Sequence, residues 1–243
     1  VYRGEEALPM VMMGSHIDTV ATGGLYDGNY GVMAGLEVIA TLQDAGIRPR
    51  RPLAVTFFTN EEGVRFQPDM MGSVVFAGEY PLTQALAAKD HNGITLDEAL
   101  REIGYKGEHQ PGNLLVDSYV ELHIEQGPIL DKERIDIGVV TGVQGISWQE
   151  FTLTGVSNHA GTTPMSMRHD AGLAAAKIAV FARELAMSLG GNQVSTVGHI
   201  SVKPNLINVI PNHVVMSVDL RNTDNAILIE AERRLAEFVV TTA

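Results

Sequence analysis

Leu53-Ala-Val-Thr-Phe-Phe-Thr59, followed at once by Asn60-Glu61-Glu62-Gly63, is the stretch that decides the fold. Its almost uninterrupted apolar run is typical of a strand that is covered on both faces, as in a parallel sheet. The two carboxylates and the glycine that follow it favour a buried turn at the end of that strand. Since ligands bind at the carboxyl ends of the strands in open α/β sheets, the stretch predicts both an architecture and the place of a site.

The rest of the first half repeats this pattern of strand and helix. Capping-box residues at Thr95 and Glu98 favour a helix start, and the alternation in Tyr119–Ile124 favours a strand. The order of the segments predicts an α/β layer with a largely parallel sheet. The predicted strands are 11–13, 53–59, 119–124 and 135–140, and the predicted helices begin near Val32 and span 81–88 and 95–103.

The pattern changes near Ile146, where an α+β arrangement begins. The order strand, helix, strand, strand, helix is the start of a ferredoxin-like unit. Its predicted segments are 147–154, 171–189, 194–202, 214–220 and 226–239. We place the domain boundary near residue 144, which gives a first domain of 1–144 and a second of 145–243. Because the chain opens on Val1 and stops directly after a helical pattern, we expect it to be a fragment that lacks both ends, including the last strand of the second domain.

Composition excludes several classes of function. The 243 residues carry a net charge of −12. A chain this acidic lacks the excess of basic residues that binds nucleic acid, and anionic membranes would repel it. There is no cysteine, so thiol catalysis, disulfides and thiolate-bound metals are excluded. No apolar run reaches the ~18 residues of a membrane span. These features favour a cytoplasmic protein whose metal, if any, is held by His and carboxylate groups.

Polar side chains collect where the first-half strands end. Four of them, His16, Asp27, Glu62 and His123, offer the nitrogen and oxygen ligands that zinc, manganese or cobalt takes when no thiolate is present. Asp18, two residues after His16, can hold the His ring from behind as a supporting carboxylate. Asp27 could bridge two ions ~3.5–4 Å apart.

Glu61 and Glu62 are neighbours in an extended segment and point in different directions. One can therefore bind metal while the other takes a proton from an activated water. Each residue alone also has a plainer interpretation: a structural histidine, a solvated Glu pair, or a turn or helix cap at Asp27. The metal-site hypothesis depends on all of them meeting at one sheet edge.

Six motifs together carry a resemblance that runs through essentially all 243 residues in order. They are Gly14-Ser-His-Ile-Asp-Thr19, Gly24-Leu-Tyr-Asp-Gly28, Thr59-Asn-Glu-Glu-Gly63, Glu121-Leu-His-Ile-Glu-Gln-Gly127, Asn158-His-Ala-Gly-Thr-Thr-Pro164 and Asp219-Leu-Arg-Asn222. The chain resembles the N-carbamoyl-L-amino acid hydrolases. These group with allantoate amidohydrolases and β-ureidopropionases in the dinuclear zinc aminopeptidase and aminoacylase superfamily.

The resemblance implies a zinc-peptidase-like catalytic domain, here incomplete, with two divalent ions (Zn, Mn or Co) per subunit. His16, Asp27 and His123 would hold one ion, and Asp27 would bridge to a second that Glu62 also binds. Glu61 would be the general base and Asp18 would support the site. In the family a further His downstream completes the second metal site, and this chain ends before that position.

For the second half, the resemblance implies a lid and dimerisation domain that makes a homodimer. His159 would stabilise the tetrahedral oxyanion, usually in the neighbouring subunit's site. Asn208 and Arg221 would hold the substrate's α-carboxylate, and Gln126 matches a substrate-binding position. Arg168 and Asp170 match family motifs as well, and we expect them to pair at the start of the long helix.

The expected function is metal-dependent cleavage of the carbamoyl C–N bond of N-carbamoyl-L-amino acids by metal-activated water, with a small ureido and carboxylate compound as substrate. The nearest alternatives are allantoate and β-ureidopropionate hydrolysis, since those substrates share both groups. An alternative of another class is a catalytically inert metal-binding and dimerisation fragment. A purely structural protein would require the His and carboxylate groups to be dispersed in space.

Overall fold

The computed structural model describes residues 1–242 in two compact units. The first unit runs from Val1 to Ile137 and the second begins at Gly138. Each unit is described by itself below. The boundary predicted near residue 144 stays a prediction. Ala243, which closes the predicted second domain, and the strand expected beyond it lie outside the described residues.

The first unit is built on a three-stranded, wholly parallel sheet. Its strands stand in the order β2-β1-β3, with β1 at Met10–His16, β2 at Leu53–Phe58 and β3 at Val116–Val120. His16 pairs with Phe58, so β1 and β2 end together. That register brings His16 and the turn that carries the two glutamates to one edge of the sheet, as the sequence predicts.

Helix α1 (Asn29–Asp44) approaches this sheet closely because two of its residues have no side chain. A Cβ on Gly31 would come within 2.3 Å of the Leu122 carbonyl oxygen, and one on Gly35 within 3.3 Å of Met13 Cβ. The helix therefore begins directly above the carboxyl end of the sheet. The helices of this unit are α1 (Asn29–Asp44), α2 (Met71–Ala77), α3 (Leu82–Ala87), α4 (Leu96–Glu102) and α5 (Ile129–Glu133). The predicted capping box at Thr95 and Glu98 is confirmed at the start of α4.

Two strand predictions in this half need correction. The strand predicted over 119–124 is β3 and ends at Val120, so His123 lies in the extended segment after it. The strand predicted over 135–140 is wrong: Ile137, Val139 and Val140 are exposed and make no ladder within the described residues. β-Branched residues favour a strand only where a neighbouring strand pairs with them.

The second unit is an antiparallel sheet under two helices. Its strands are β4 (Gly145–Thr154), β5 (Val194–Thr196), β6 (Ile200–Lys203) and β7 (His213–Asn222), and its helices are α6 (Ala171–Leu189) and α7 (Asn225–Thr242). β7 is central, with β4 on one side and both β5 and β6 on the other. The strand predicted over 194–202 is thus two strands, separated at Val197-Gly198-His199. The order fits the predicted start of a ferredoxin-like unit.

The core of this unit lies between β7 and the helices. Alternate residues of β7, from Val214 to Leu220, are fully buried, as the period of two requires. Ile178 and Leu185 of α6 and Leu235 of α7 cover them. The predicted α/β class is confirmed. Among the described residues no helix is long and apolar enough to cross a membrane.

Candidate metal centre

The first unit gathers imidazole and carboxylate groups at the carboxyl end of its sheet. His16 ends β1 and Asp27 lies in the turn before α1, and both are buried. His16 Nε2 stands 3.9 Å from Asp27 Oδ1, and His123 Nε2 stands 3.3 Å from the same oxygen. One ligand atom from each of the three residues lies within 4.8 Å of the others.

A second group shares the same histidine. His16, Glu61 and Glu62 also offer ligand atoms within 4.8 Å of one another, and His16 Nε2 is 3.5 Å from Glu61 Oε2. Glu62 Oε1 is buried without a hydrogen-bond partner. The four predicted metal ligands and the predicted base therefore meet in one place.

The hydrogen bonds of the two histidines show what this place favours. His16 Nδ1 lies 2.7 Å from the Asp18 carbonyl oxygen, and His123 Nδ1 lies 2.8 Å from the Ile124 carbonyl oxygen. A carbonyl oxygen only accepts, so Nδ1 is the donor in both rings, and in the neutral imidazole Nε2 then carries a lone pair. The two Nε2 atoms face each other at 3.4 Å, beside carboxylates. Such a collection of acceptors, with an unsatisfied buried oxygen among them, fits a divalent cation with nitrogen and oxygen ligands.

A glycine after Asp27 makes room for the first ligand. Gly28 has φ +67°, and a Cβ there would lie 2.4 Å from His16 Nδ1. The ring of His16 thus rests against the backbone of the turn that supplies Asp27. A larger residue than glycine after Asp27 would therefore collide with the His16 ring. In the sequence alone, Asp27-Gly28 is only a turn signal.

Asp18 supports the site in a different way from the predicted one. We expected its carboxylate to hold the His16 ring, but the backbone carbonyl of Asp18 does so. The carboxylate oxygen Oδ2 instead accepts the Glu62 backbone N–H at 3.1 Å. The side chain crosses to the neighbouring strand's turn, because that turn offers an unpaired N–H. Asp18 therefore joins the end of β1 to the glutamate turn.

Burial and charge act on the two glutamates. Burial is the main cause that raises the pKa of Glu61, and the nearby carboxylates of Asp18 and Glu121 add to it while His16 and His123 oppose it. Burial also raises the pKa of Glu62, with the Asp27 carboxylate as the next cause.

Asn60 begins the turn that carries the two glutamates, and its backbone has φ +54°. Its side-chain amide holds the following loop by donating to the Phe66 and Pro68 carbonyls.

Sequence reasoning missed a hydroxyl–carboxylate network behind the histidines. Ser15 Oγ donates to Glu121 Oε1 at 2.5 Å, and the Tyr119 hydroxyl donates to Glu121 Oε2 at 2.9 Å. Burial is the main cause that raises the pKa of Tyr119, followed by its hydrogen bond to Glu121. The network ties the strand that ends in His16 to the segment that carries His123. The available signal was Glu121 itself, a charged residue on the polar side of the alternation in Tyr119–Ile124.

Gln126 lies against the site rather than apart from it. Its Nε2 donates to Asp27 Oδ1 at 2.8 Å. This is the oxygen that both histidines approach. The predicted substrate contact of Gln126 stays a prediction, and the structure adds a direct contact with a predicted metal ligand.

The predicted lid residues fall into two places in the second unit. His159 and Asn208 lie on adjacent antiparallel segments: His159 forms a bridge with Val209, and the Ala160 N–H donates to the Asn208 carbonyl. Arg221 lies near the other end of β7, where it pairs with Ile146 and Val194 and donates to both oxygens of Asp219. The structure thus brings His159 and Asn208 together, and not Arg221.

The expected pair of Arg168 and Asp170 forms no such contact. The carboxylate of Asp170 caps α6 by accepting the Gly172 and Leu173 N–H groups. Arg168 donates to backbone carbonyls of Ala160 and Thr163. Each side chain is nearer to the unpaired backbone groups of its own loop or helix end than to the other.

A family model confirms the resemblance on which the site assignments depend. The model of peptidase family M20/M25/M40 matches residues 12–233. The chain belongs to this family. It is 48% identical over 221 residues to an N-carbamoyl-L-amino-acid amidohydrolase of Rhizobium meliloti, which covers 91% of this chain and 53% of that protein. It is 38% identical over 232 residues to a ureidoglycolate hydrolase of Arabidopsis thaliana, which covers 91% of this chain and 49% of that protein.

Solved structures that resemble this chain show the same fold. An amidase of the hydantoinase/carbamoylase family from Burkholderia multivorans superposes with a TM-score of 0.86 at 45% identity, over 99% of this chain and 59% of that one. The chain spans about half the length of the curated relatives that it matches.

Proposed function

We propose that the chain is the metal-binding and lid part of an amidohydrolase that cleaves the carbamoyl C–N bond of N-carbamoyl-L-amino acids. The observation that carries the proposal is the double cluster at the end of the parallel sheet, in which His16 belongs to both groups. Relatives at 48% and 43% identity are N-carbamoyl-L-amino-acid amidohydrolases. The predicted cytoplasmic location stays a prediction.

His16, Asp27 and His123, which form the first group, would hold one divalent cation. Glu62 of the second group would hold a second cation, with Asp27 as the bridge that the family resemblance implies, and Zn, Mn or Co are the candidates. A cation there supplies Lewis-acid chemistry, because it lowers the pKa of water and polarises a carbonyl oxygen. The ureido carbonyl of the substrate is the group on which that chemistry is useful.

Glu61 is the proposed base of the reaction. It stands beside His16 at 3.5 Å but keeps about a third of its side chain exposed, so it faces the open side of the cluster. There it takes a proton from the attacking water and returns it to the leaving amine. Asp18 is a supporting residue in this scheme, because its carboxylate holds the backbone of Glu62.

The predicted lid residues would contact the substrate. Arg221 and Asn208 would bind the α-carboxylate, for which the fork of a guanidinium is well shaped. Gln126 would contact the substrate beside Asp27. His159 would donate to the developing oxyanion.

The distance along β7 supports a homodimer. Arg221 is eight residues beyond His213, which at ~3.3 Å per residue is about 26 Å. The ladder continues past His213 in the other direction, through Gly155 with Asn212 and Asn158 with Ile210, to His159. His159 and Arg221 of one chain are therefore too far apart for one small substrate. We propose that each site takes His159 and Asn208 from one subunit and Arg221 from the other.

Allantoate and β-ureidopropionate remain alternative substrates, and a further one has a specific observation in its favour. Besides the Arabidopsis relative, the chain superposes with a TM-score of 0.84 on a structure described as AtUAH in complex with glyoxylate. A ureido acid with a hydroxyl in place of the amino acid side chain is therefore a second candidate.

Metal analysis combined with an ammonia-release assay tests the function. We expect about two metals per chain, about one in Glu62→Ala, and turnover of an N-carbamoyl-L-amino acid that Glu61→Gln abolishes while metal content stays unchanged. One metal per chain that is unaffected by Glu62→Ala, without turnover, would support the inert binding and dimerisation fragment instead. The same assay with allantoate, β-ureidopropionate and ureidoglycolate ranks the substrates.

A further inference from the structure

The loop that carries His159 is closed by a side chain at its far end. Arg168 is half-buried and donates from Nη2 to the Ala160 carbonyl at 2.7 Å, and from Nε and Nη2 to the Thr163 carbonyl at 3.1 and 3.0 Å. A guanidinium can hold two carbonyls at once because its donors lie in a rigid plane. One residue thus fixes the backbone on the C-terminal side of His159.

Thr163 adds a second tie between the two ends of this loop. Its hydroxyl donates to the His159 carbonyl at 2.7 Å, and its backbone N–H donates to the same oxygen at 3.2 Å. Arg168 holds the carbonyl of Thr163, and Thr163 holds the carbonyl of His159. The connection from the guanidinium to the histidine therefore runs through one residue.

The ring of His159 is held by a backbone group of the same loop. The Gly161 N–H donates to His159 Nδ1 at 3.0 Å, and a Cβ on Gly161 would lie 3.2 Å from His159 Cε1. A backbone N–H only donates, so Nδ1 is an acceptor and the proton of the neutral ring is on Nε2. The rest of the side chain is exposed, which leaves Nε2–H as an outward donor.

We propose that Arg168 is a positioning residue for His159. By clamping the Ala160 and Thr163 carbonyls, it keeps the Gly161 N–H on Nδ1 and so fixes both the direction of the ring and the tautomer in which Nε2 is the donor. The purpose of that donor, stabilising an oxyanion, rests on the function proposed above. The clamp itself does not, since every contact in it belongs to the second unit.

The tautomer gives a readout that needs neither metal nor turnover. Long-range ¹H–¹⁵N correlation spectra of histidine-labelled protein show which ring nitrogen carries the proton, and His159→Gln assigns the signal among the eight histidines. We expect a single Nε2–H tautomer for the unsubstituted chain at a pH where the ring is neutral. Arg168→Met should give mixed tautomers or an averaged signal, and Arg168→Lys, which keeps the charge but not the fork, an intermediate one.

Arg183→Met is the matched control, because Arg183 is an exposed arginine of α6 in the same unit. It should leave the His159 signal unchanged. An Nδ1–H tautomer in the unsubstituted chain would overturn the proposal, as would an unchanged tautomer in a folded Arg168→Met or Arg168→Lys protein. If Arg168→Met does not fold, Arg168→Lys and Thr163→Val decide, since each breaks one step of the clamp.

Kinetics separates this proposal from the proposed function. If His159 stabilises the oxyanion, Arg168→Lys lowers kcat on the order of 10- to 100-fold and leaves KM unchanged, because a misplaced donor weakens the transition state alone. Spectra that change as expected while kcat does not would support the clamp and overturn the role of His159 in the reaction. Unchanged spectra overturn the clamp whatever the kinetics show.

Discussion

The two units present their polar residues in opposite ways. At the end of the parallel sheet, side chains bond one another as well as the backbone: Ser15 and Tyr119 donate to Glu121, and Gln126 donates to Asp27. In the loop that carries His159, the side-chain hydrogen bonds described above all go to backbone atoms. The first arrangement is acidic and includes the buried Ser15 and Asp27, whereas Tyr119, Glu121 and Gln126 are exposed. The second is exposed and depends on one clamp. Loss of one side chain should therefore act on cation binding in the first unit and on loop geometry in the second.

Removal of His16 gives the largest expected effect, because that residue belongs to both candidate groups. His16→Ala should reduce bound metal to well below one ion per chain, whereas Asp27→Asn, which keeps a neutral oxygen ligand at the proposed bridge, should leave both sites partly filled. Elemental analysis after dialysis against Zn²⁺ measures this. His91→Ala, an exposed histidine of the same unit, is the control and should bind metal normally. Undiminished metal in His16→Ala would remove the basis of the comparison.

Shortening a core side chain of the second unit should lower the stability of the protein and leave its metal content unchanged. Met216 is fully buried between β7 and the helices, so Met216→Ala should lower the free energy of unfolding by about 2–5 kcal/mol. Met187→Ala, at an exposed position of α6, should change it by less than about 0.5 kcal/mol. Denaturant unfolding measures both. A change in metal content in either variant would show that the cluster depends on the second unit's packing.

Substituting two glycines that have nearly the same φ distinguishes the effect of contact with the His16 ring from the effect of backbone strain. Gly28 and Gly46 have φ +67° and +66°, but a Cβ would meet the His16 ring at 2.4 Å only in the first case, and nothing within 4 Å in the second. Gly28→Ala should therefore weaken metal binding by roughly 10- to 100-fold, as loss of ligand support does. Gly46→Ala should cost stability alone. Equal metal affinities in the two variants would contradict the ring contact.

The same contrast explains how far the sequence could predict the molecule. The α/β class, the strand ends that meet at His16 and Glu61, and the capping box at Thr95 all follow from residue types and spacing. The clustering of the four predicted ligands follows from parallel register. Their ligation of metal stays a prediction.

What the sequence could not predict are contacts through backbone atoms and through partners distant in the chain. The Asp18 carboxylate reaches a backbone N–H, and Ser15 meets Glu121 across 106 positions. The local residue pattern identifies neither pair of partners, although Glu121 is recognisable by itself as a charged residue in the alternation of its segment. The failed strand over 135–140 has the related cause that pairing depends on a neighbour that local propensity does not reveal.

The smallest expected effect tests whether Arg168 and Asp170 act separately. Asp170→Ala removes the N-cap of α6 and should cost about 1 kcal/mol. Arg168→Met should cost about 1–3 kcal/mol from the lost charge-assisted hydrogen bonds. In a double-mutant cycle measured by denaturant unfolding, the two costs should add within about 0.5 kcal/mol, because no contact joins the side chains. A larger coupling energy would mean that the pair expected from the sequence exists in solution. The clamp on the His159 loop would then share its arginine with the helix cap, and the exposed site would be less distinct from the buried one than the structure shows.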